Sequence, residues 1–534
     1  MTPWLAGERR SGCGDTKAKA LGLIDEIDPD PLFFAETTNP EWLGMQVPVG
    51  ERNVNPPAAD AFDTARATAK RKMPGQTAPL VAIDLLDAVQ SLPLAQGLAQ
   101  EREAFINLRT GEQATALRHV FFGEWAAKAP DWLADAIPKE LTRIAVAGGG
   151  TMGAGIAYAL LSAGYSVVVL ETDPDGVARA QKNLDALFAS GRKRGLLDET
   201  GEQSRRAALA VSDDYAQAAQ AGLAIEAAFE SMDVKHRVLG KFEAVLPPEA
   251  VLATNTSYLD IDVMAAKLSD PTRLVGLHFF APAHIMKLLE IVRGARTSDT
   301  ALKTGFALAK TLKKVPVLSG VCDGFIGNRI LARYREAADT LLMDGATPAE
   351  VDAAVVAFGY SMGPYEAQDM SGLDIAHANR RRQDVTRDPD RRYIPIGDRL
   401  VDMGRLGKKT GSGWYDYGTG AKQPDDAVVE VILAEAQREN VTRRAFSADD
   451  IQHRLLLAMI NEAADILNEG IAAQALNIDL VTVFGYGFPR WRGGLMNYAD
   501  TLGPQKVLAG LQALAAEDPK VWTPSPMIQD AEVL

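Results

Sequence analysis

The spacing of apolar positions along the 534-residue chain divides it into three stretches of different character. Up to residue 137 the apolar residues recur at helical intervals, and Ala58 to Lys72, Val81 to Ser91, Leu98 to Leu108 and Gln113 to Ala127 read as helices. They follow a short apolar segment, Leu21 to Ile27, and a Pro-rich acidic stretch around Trp42. From 138 to 320, short apolar runs alternate with amphipathic stretches, the pattern of a parallel sheet with crossover helices. After Val321 the runs stop and helical spacing takes over to the C-terminus.

The second stretch opens with the most informative segment. Ile144 to Ala147 reads as a buried strand that stops at Gly148, Gly150 and Gly153, and Ala154 to Ala163 reads as a helix. Glycines in the order G-x-G-x-x-G allow a tight strand-to-helix turn, close approach of a pyrophosphate to the backbone, and close packing of the helix on the sheet. The unpaired amides and positive dipole end of that helix then face the phosphates. A second strand, Val167 to Leu170, ends at Glu171, where a carboxylate accepts ribose hydroxyls. A ribose phosphate would lie against that carboxylate with no Arg in the residues that follow, so NAD is expected over NADP. The strand, helix and acidic strand end agree, which sets this glycine pattern apart from ordinary turns.

In a doubly wound sheet ligands gather at the carboxyl ends of the strands. Leu223 to Ile225 leads to Glu226 and Glu230, with Lys235 beyond, and Val251 to Thr254 ends in Asn255-Thr256-Ser257. Val275 to Leu277 delivers His278, and the strand Leu288 to Val292 contains Glu290. Of the six histidines only His278 stands at a strand's carboxyl end in this region. Hydride transfer from an alcohol requires a base for the hydroxyl proton, and an imidazole titrates near neutrality. Glu290 can hold the ring by its other nitrogen. His119, beside Phe121 and Phe122, reads as a packing residue. Arg192-Lys193-Arg194 leaves two readings open, a solvated helix end or an anchor for the phosphates of a large anionic substrate.

The helical stretch contains a repeat. Glu336-Ala337-Ala338-Asp339 recurs as Glu462-Ala463-Ala464-Asp465 and Phe358-Gly359-Tyr360 as Phe484-Gly485-Tyr486, both at an offset of 126 residues. Two related all-helical domains are expected, 321–420 and 421–534, with Gly407 to Tyr415 between their cores. Residues 1–137 form a first, mostly helical region and 138–320 the α/β domain.

A net charge of −14 and an acidic isoelectric point exclude nucleic acid as the main partner, since phosphate backbones require concentrated Lys and Arg. Two cysteines, Cys13 and Cys322, give no disulfide framework. No apolar run is long enough to span a membrane, no secretory or peroxisomal tripeptide signal is apparent, and a cytoplasmic location is expected. No metal site is expected.

The segments VAGGGTMGAGIA, AIEAAFE, ATNTSYL, GLHFFAPAHIMKLLEIV, GFIGNR, FGYSMGP and GKKTGSGWYDY, in this order, resemble the 3-hydroxyacyl-CoA dehydrogenase family, in particular the dehydrogenase part of multifunctional β-oxidation enzymes of peroxisomal type. The resemblance implies a Rossmann-type NAD-binding domain, an acyl-CoA substrate of (S) configuration and fatty acid β-oxidation. It implies His278 as catalytic base with Glu290 as its partner, substrate contacts at Ser257 and Asn328, and cofactor contacts at Gly148, Gly150, Thr151, Met152, Gly153, Glu171, Glu230, Lys235 and Lys409. Two positions depart from the family pattern: Ala281, where Asn is common, and Gly222, where Asp is common. AKALGLIDEI and the helices through HVFFGEW resemble the closing part and linker of an enoyl-CoA hydratase (crotonase) domain. That family's oxyanion hole and catalytic glutamates have no counterpart in residues 1–137, where Glu8, Asp15, Asp25 and Glu26 are the nearest carboxylates, so no hydratase activity is expected. A hydratase or thiolase is the expected class of protein partner. Two other functions stay open at this point: a non-catalytic NAD-binding remnant, and a dehydrogenase of small free 3-hydroxy acids.

Overall fold

The computed structural model describes residues 57–530 together with 15–20, 27 and 37. Cys13, Trp42, Glu8, Asp25, Glu26 and most of the crotonase-like segment lie outside the described residues. The chain divides into two compact units. The described part of the first comprises helices Asp15–Ala20, Ala61–Lys72 and Ala78–Ala88 and the opening turns of Leu94–Thr110, with Arg66 paired to Asp84 and Asp87 at 2.9 and 2.7 Å. Helix Ala78–Ala88 starts three residues before the apolar pattern, because Pro79 is accommodated in a first turn whose amides have no helical partner.

The second unit holds residues 73–76 and everything from Phe105 onward. Its sheet has eight strands in the order β3-β2-β1-β4-β5-β6-β7-β8: β1 Arg143–Ala147, β2 Ser166–Leu170, β3 Leu209–Ser212, β4 Leu223–Glu226, β5 Val251–Thr254, β6 Leu274–Phe279, β7 Leu288–Val292 and β8 Val315–Ser319. All neighbours are parallel except β6 and β7. Side chains alternate between faces: Ile144, Val146, Val167 and Val169 enter one core, Ala145, Ala147, Val168 and Leu170 the other. Burial on both faces is why these strands read as continuous apolar runs. The apolar pattern did not reveal β3 and β8. Both lie at sheet edges, β3 is only half-buried, and β8 carries Pro316, which an edge strand tolerates.

The repeat appears as two matching helix pairs, Gly327–Asp344 with Pro348–Phe358 and Ala448–Asn468 with Ala475–Tyr486. Both pairs share one apolar core, and the two EAAD helices are bridged by Arg329 to Glu462 and Glu469 and by Arg333 to Glu462, Arg333 also pairing with Glu336 on its own helix. The helix Glu112–Ala126 packs on the second pair: Val120 is buried in that core, and His119 reaches Asp479 at 2.8 Å. His119 therefore combines packing with a specific polar contact. No helix among the described residues is long and apolar enough to cross a membrane.

Candidate active site

The strand order reverses between β1 and β4, and the glycine loop leaves β1 at that switch point. Gly148 has φ +92°, and a Cβ there would come within 2.7 Å of the Ala227 carbonyl. A Cβ on Gly153 would collide with the carbonyl of Gly148. Gly150 differs, because a Cβ there meets nothing among the described residues within 4 Å. The fold itself therefore does not require glycine at 150. Its bare backbone instead leaves room in front of helix Thr151–Ser162, whose first turn carries Thr151 and Met152 and has no side-chain cap. Those free amides and that open space fit a pyrophosphate. Glu171, just past β2, accepts the amide of Gly149 through Oε1 at 2.6 Å, which holds the carboxylate beside the loop.

The antiparallel pairing of β6 with β7 sets His278 directly opposite Glu290. Imidazole Nδ1 donates to Glu290 Oε2 at 2.6 Å, while Glu290 Oε1 accepts the Gly327 amide at 2.9 Å. Glu290 is fully buried and His278 nearly so. A carboxylate can only accept, so the proton sits on Nδ1 and the lone pair on Nε2 is left for a substrate hydroxyl. Phe280 and Phe325 pack beside the ring at centroid distances of 4.6 and 5.7 Å.

A buried polar chain runs from β4 to this pair. Lys235, 1% exposed, contacts Glu226 at 3.0 Å, Glu230 at 2.9 Å and the Ala228 carbonyl at 3.3 Å, so its three protons are all engaged. Burial raises Glu226 against the charge of Lys235. Burial also acts to raise Glu230, but Lys235 and the groups donating to it outweigh this and hold it below the usual carboxylate range. Glu230 Oε1 accepts Thr256 Oγ1 at 2.6 Å and the amides of Ser257 and Tyr258 at 2.9 and 3.3 Å, shaping the turn that presents Ser257. Asn255 accepts the Phe279 amide at 2.9 Å, tying the same turn to the catalytic strand. Asn328, next to Gly327, donates to the Ser257 carbonyl at 3.4 Å.

His278, Glu290, Ser257, Asn328, Glu230 and Lys235 thus belong to one connected constellation, with the glycine loop beside it. Lys409 stands apart from it. It pairs with Asp374 at 2.6 Å, at the start of helix Leu373–Gln383, whose last turn carries Arg382 over the ring of Tyr258. Gly222 has a packing reason: a Cβ would press on Leu141 and the Glu140 carbonyl at 3.2 and 3.3 Å. Ala281 is exposed. In the basic cluster Arg192 meets Glu202 at 3.5 Å. Two site residues escaped the sequence reading. Gly327 contributes only a backbone amide, and Tyr486, noted there only as part of a repeat, donates to Asn328 Oδ1 at 3.2 Å.

A Rossmann-type cofactor cradle beside a buried His–Glu pair defines an NAD-dependent dehydrogenase acting on a hydroxyl group. The 3-hydroxyacyl-CoA dehydrogenase NAD binding domain matches residues 143–322, and the C-terminal domain of that family matches 324–417. The chain is 37% identical over 532 residues to a peroxisomal bifunctional enzyme of Cavia porcellus, covering 95% of this chain and 73% of the relative. It is 33% identical over 530 residues to a peroxisomal bifunctional enzyme of Homo sapiens, with the same coverage of both chains. Among solved structures it resembles 3-hydroxybutyryl-CoA dehydrogenase from Escherichia coli K12, with TM-score 0.63 and 27% identity over 73% of this chain and 98% of that one. It also resembles the dehydrogenase part of multifunctional enzyme 1 from C. elegans, with TM-score 0.58 and 26% identity over 79% and 99%. The chain belongs to the 3-hydroxyacyl-CoA dehydrogenase family and matches the dehydrogenase part of multifunctional enzymes. It is an NAD-dependent dehydrogenase of fatty acid β-oxidation.

Proposed function

We propose that the enzyme oxidises (S)-3-hydroxyacyl-CoA to 3-ketoacyl-CoA with His278 as general base. The observation that carries this assignment is the 2.6 Å bond from His278 Nδ1 to buried Glu290, which leaves Nε2 free. Bound NAD supplies the hydride acceptor. Gly148, Gly150, Gly153 and the first turn at Thr151 and Met152 would hold its pyrophosphate, and Glu171 would accept its ribose hydroxyls. Nε2 removes the 3-hydroxyl proton, and Glu290 stabilises the imidazolium that results. Ser257 and the amide of Asn328 fix the substrate oxygens. Glu230 and Lys235 act by holding the Ser257 turn, while Lys409, a cofactor contact by family resemblance, is paired with Asp374 outside the constellation and takes no part in this scheme.

A general base contributes about 10²- to 10⁴-fold, so His278→Ala is expected to lose at least the lower factor in turnover while binding NAD normally. Acetoacetyl-CoA reduction near the wild-type rate in that variant would remove His278 from the role.

The same proposal covers three finer points. The chain is cytoplasmic, in keeping with its low cysteine content. It works between a hydratase that supplies the hydroxyacyl thioester and a thiolase that consumes the ketoacyl product. Residues 1–137 carry no hydratase activity of their own. Steady hydration of crotonyl-CoA by the purified chain without NAD, surviving His278→Ala, would contradict the last point.

A further inference from the structure

The second helical repeat sends one residue into the dehydrogenase site, and nothing in the hydride-transfer chemistry described above uses it. Tyr486 ends helix Ala475–Tyr486 and is followed by Gly487 with φ +71°, which turns the chain away. Its hydroxyl lies 3.2 Å from Asn328 Oδ1, and its ring meets Phe280 edge-on at 5.6 Å. Gly327 makes the approach feasible, since a Cβ there would stand 2.6 Å from the Tyr486 oxygen and 3.0 Å from the ring of Phe280.

The orientation of Asn328 follows from its partners. The Ser257 carbonyl can only accept, so the amide nitrogen of Asn328 must face it. Oδ1 then faces Tyr486, whose hydroxyl must donate. Burial, reinforced by the nearby Glu290 charge, pushes this phenol well above its ordinary value, so it remains a donor throughout the working pH range. Clamped at both ends, Asn328 presents its second N–H in one direction only.

The matching residue of the first repeat makes no such contact. Tyr360 stacks on Tyr334 at 6.4 Å and packs against Phe358 and Phe488, and its buried hydroxyl has no hydrogen-bond partner among the described residues.

We propose that Tyr486 is a positioning residue of the dehydrogenase, supplied by the second repeat, which fixes the Asn328 amide so that its free N–H meets the oxygen on which charge develops. This rests on the reading that Asn328 touches substrate. Preorganised donors of this kind act on the transition state more than on binding.

The test is steady-state acetoacetyl-CoA reduction by the full chain carrying Tyr486→Phe, Tyr360→Phe, Asn328→Ala, or Tyr486→Phe with Asn328→Ala. Tyr486→Phe keeps the ring and its packing. It is expected to lower kcat about tenfold, the size of effect one lost hydrogen bond has on a rate. KM for NADH and NAD affinity should stay at the wild-type values, which also shows that the variant is folded. Tyr360→Phe should leave kcat unchanged. The double variant should be no slower than Asn328→Ala alone, because the hydroxyl acts only through that amide. Tyr486→Phe matching Tyr360→Phe in kcat, or losses that multiply in the double variant, would overturn the proposal. Full activity in Asn328→Ala would overturn the reading of Asn328 itself, and the positioning role with it.

Discussion

In each helical repeat a buried aspartate caps the helix that follows, and the two differ in what completes the cap. Asp352 accepts the amides of Tyr365 and Glu366, both at 3.0 Å, and the hydroxyl of Tyr415 at 2.8 Å. Asp479 accepts the amides of Met496 and Asn497 at 2.7 and 3.2 Å, and Nε2 of His119 at 2.8 Å. Gly363 and Gly494 occupy matching places, and a Cβ on either would collide with the capping aspartate. The first repeat is thus closed by its own continuation, the Gly407–Tyr415 segment. The second is closed by a helix some 360 residues earlier in the chain. That helix also sets Gly123 against Leu476 and joins Glu124 to Lys287 and Arg490. Duplicated domains keep the same internal solution but can delegate its last contact. Here the delegation ties the N-terminal helix into the C-terminal half and exchanges a phenol for an imidazole, a group that titrates near neutrality.

The strongest way to break this comparison is to remove the caps. Asp352→Ala and Asp479→Ala each strand two helix amides and a third donor, and each should cost about 3 kcal/mol or more in urea unfolding. A loss confined to one of the two would show that the repeats are not closed alike. Next in size, Tyr415→Phe and His119→Ala should each cost about 1 to 3 kcal/mol, the penalty for an unsatisfied buried partner. A negligible loss for His119→Ala would mean that the N-terminal helix only rests on the repeat.

The two should then separate by pH. His119 is raised above its ordinary value, first by its hydrogen bond to Asp479, against the opposing effect of burial and with help from the charges of Asp479 and Asp500. A raised folded pKa gives stability that is full below the unfolded value of about 6.5 and is lost as pH rises through the folded value. Burial raises Asp479 and Asp500 as well, but a raised carboxyl starts to lose stability at its own unfolded value of about 3.9, so the change specific to His119 is the one that begins near about 6.5. The wild-type advantage over His119→Ala should therefore shrink from pH 6 to pH 9, whereas that over Tyr415→Phe should stay level. Equal pH profiles for the two variants would contradict the assignment. The smallest effect is expected for Tyr360→Phe, whose unpartnered buried hydroxyl is worth less than about 1 kcal/mol by the melting transition.

Much of the α/β domain was legible because parallel strands buried on both faces leave continuous apolar runs, and because glycine at 148 and 153 is demanded by backbone collisions that no other residue avoids. His278 and Glu290 were legible as strand-borne polar residues in apolar runs, although their pairing needed the antiparallel register of β6 and β7. Edge strands β3 and β8 were not, since a half-buried or Pro-containing edge carries a weak pattern. His119 was read as packing because its partner Asp479 lies in a helix that local spacing cannot connect to it. Tyr486 was visible as a repeat, but the repeat predicts equivalence with Tyr360, and it is the inequivalence that places its hydroxyl on Asn328.

NADH oxidation by the unmodified chain, followed with acetoacetyl-CoA and, separately, with free acetoacetate, tests most directly whether His278 and Glu290 serve an acyl-CoA dehydrogenase. Oxidation with the thioester and none with the free acid is the expected result, with the rate collapsing in His278→Ala. NADH binding without oxidation of either would mean that the His278–Glu290 pair serves structure alone, and equal rates with both would mean that the site does not recognise an acyl-CoA.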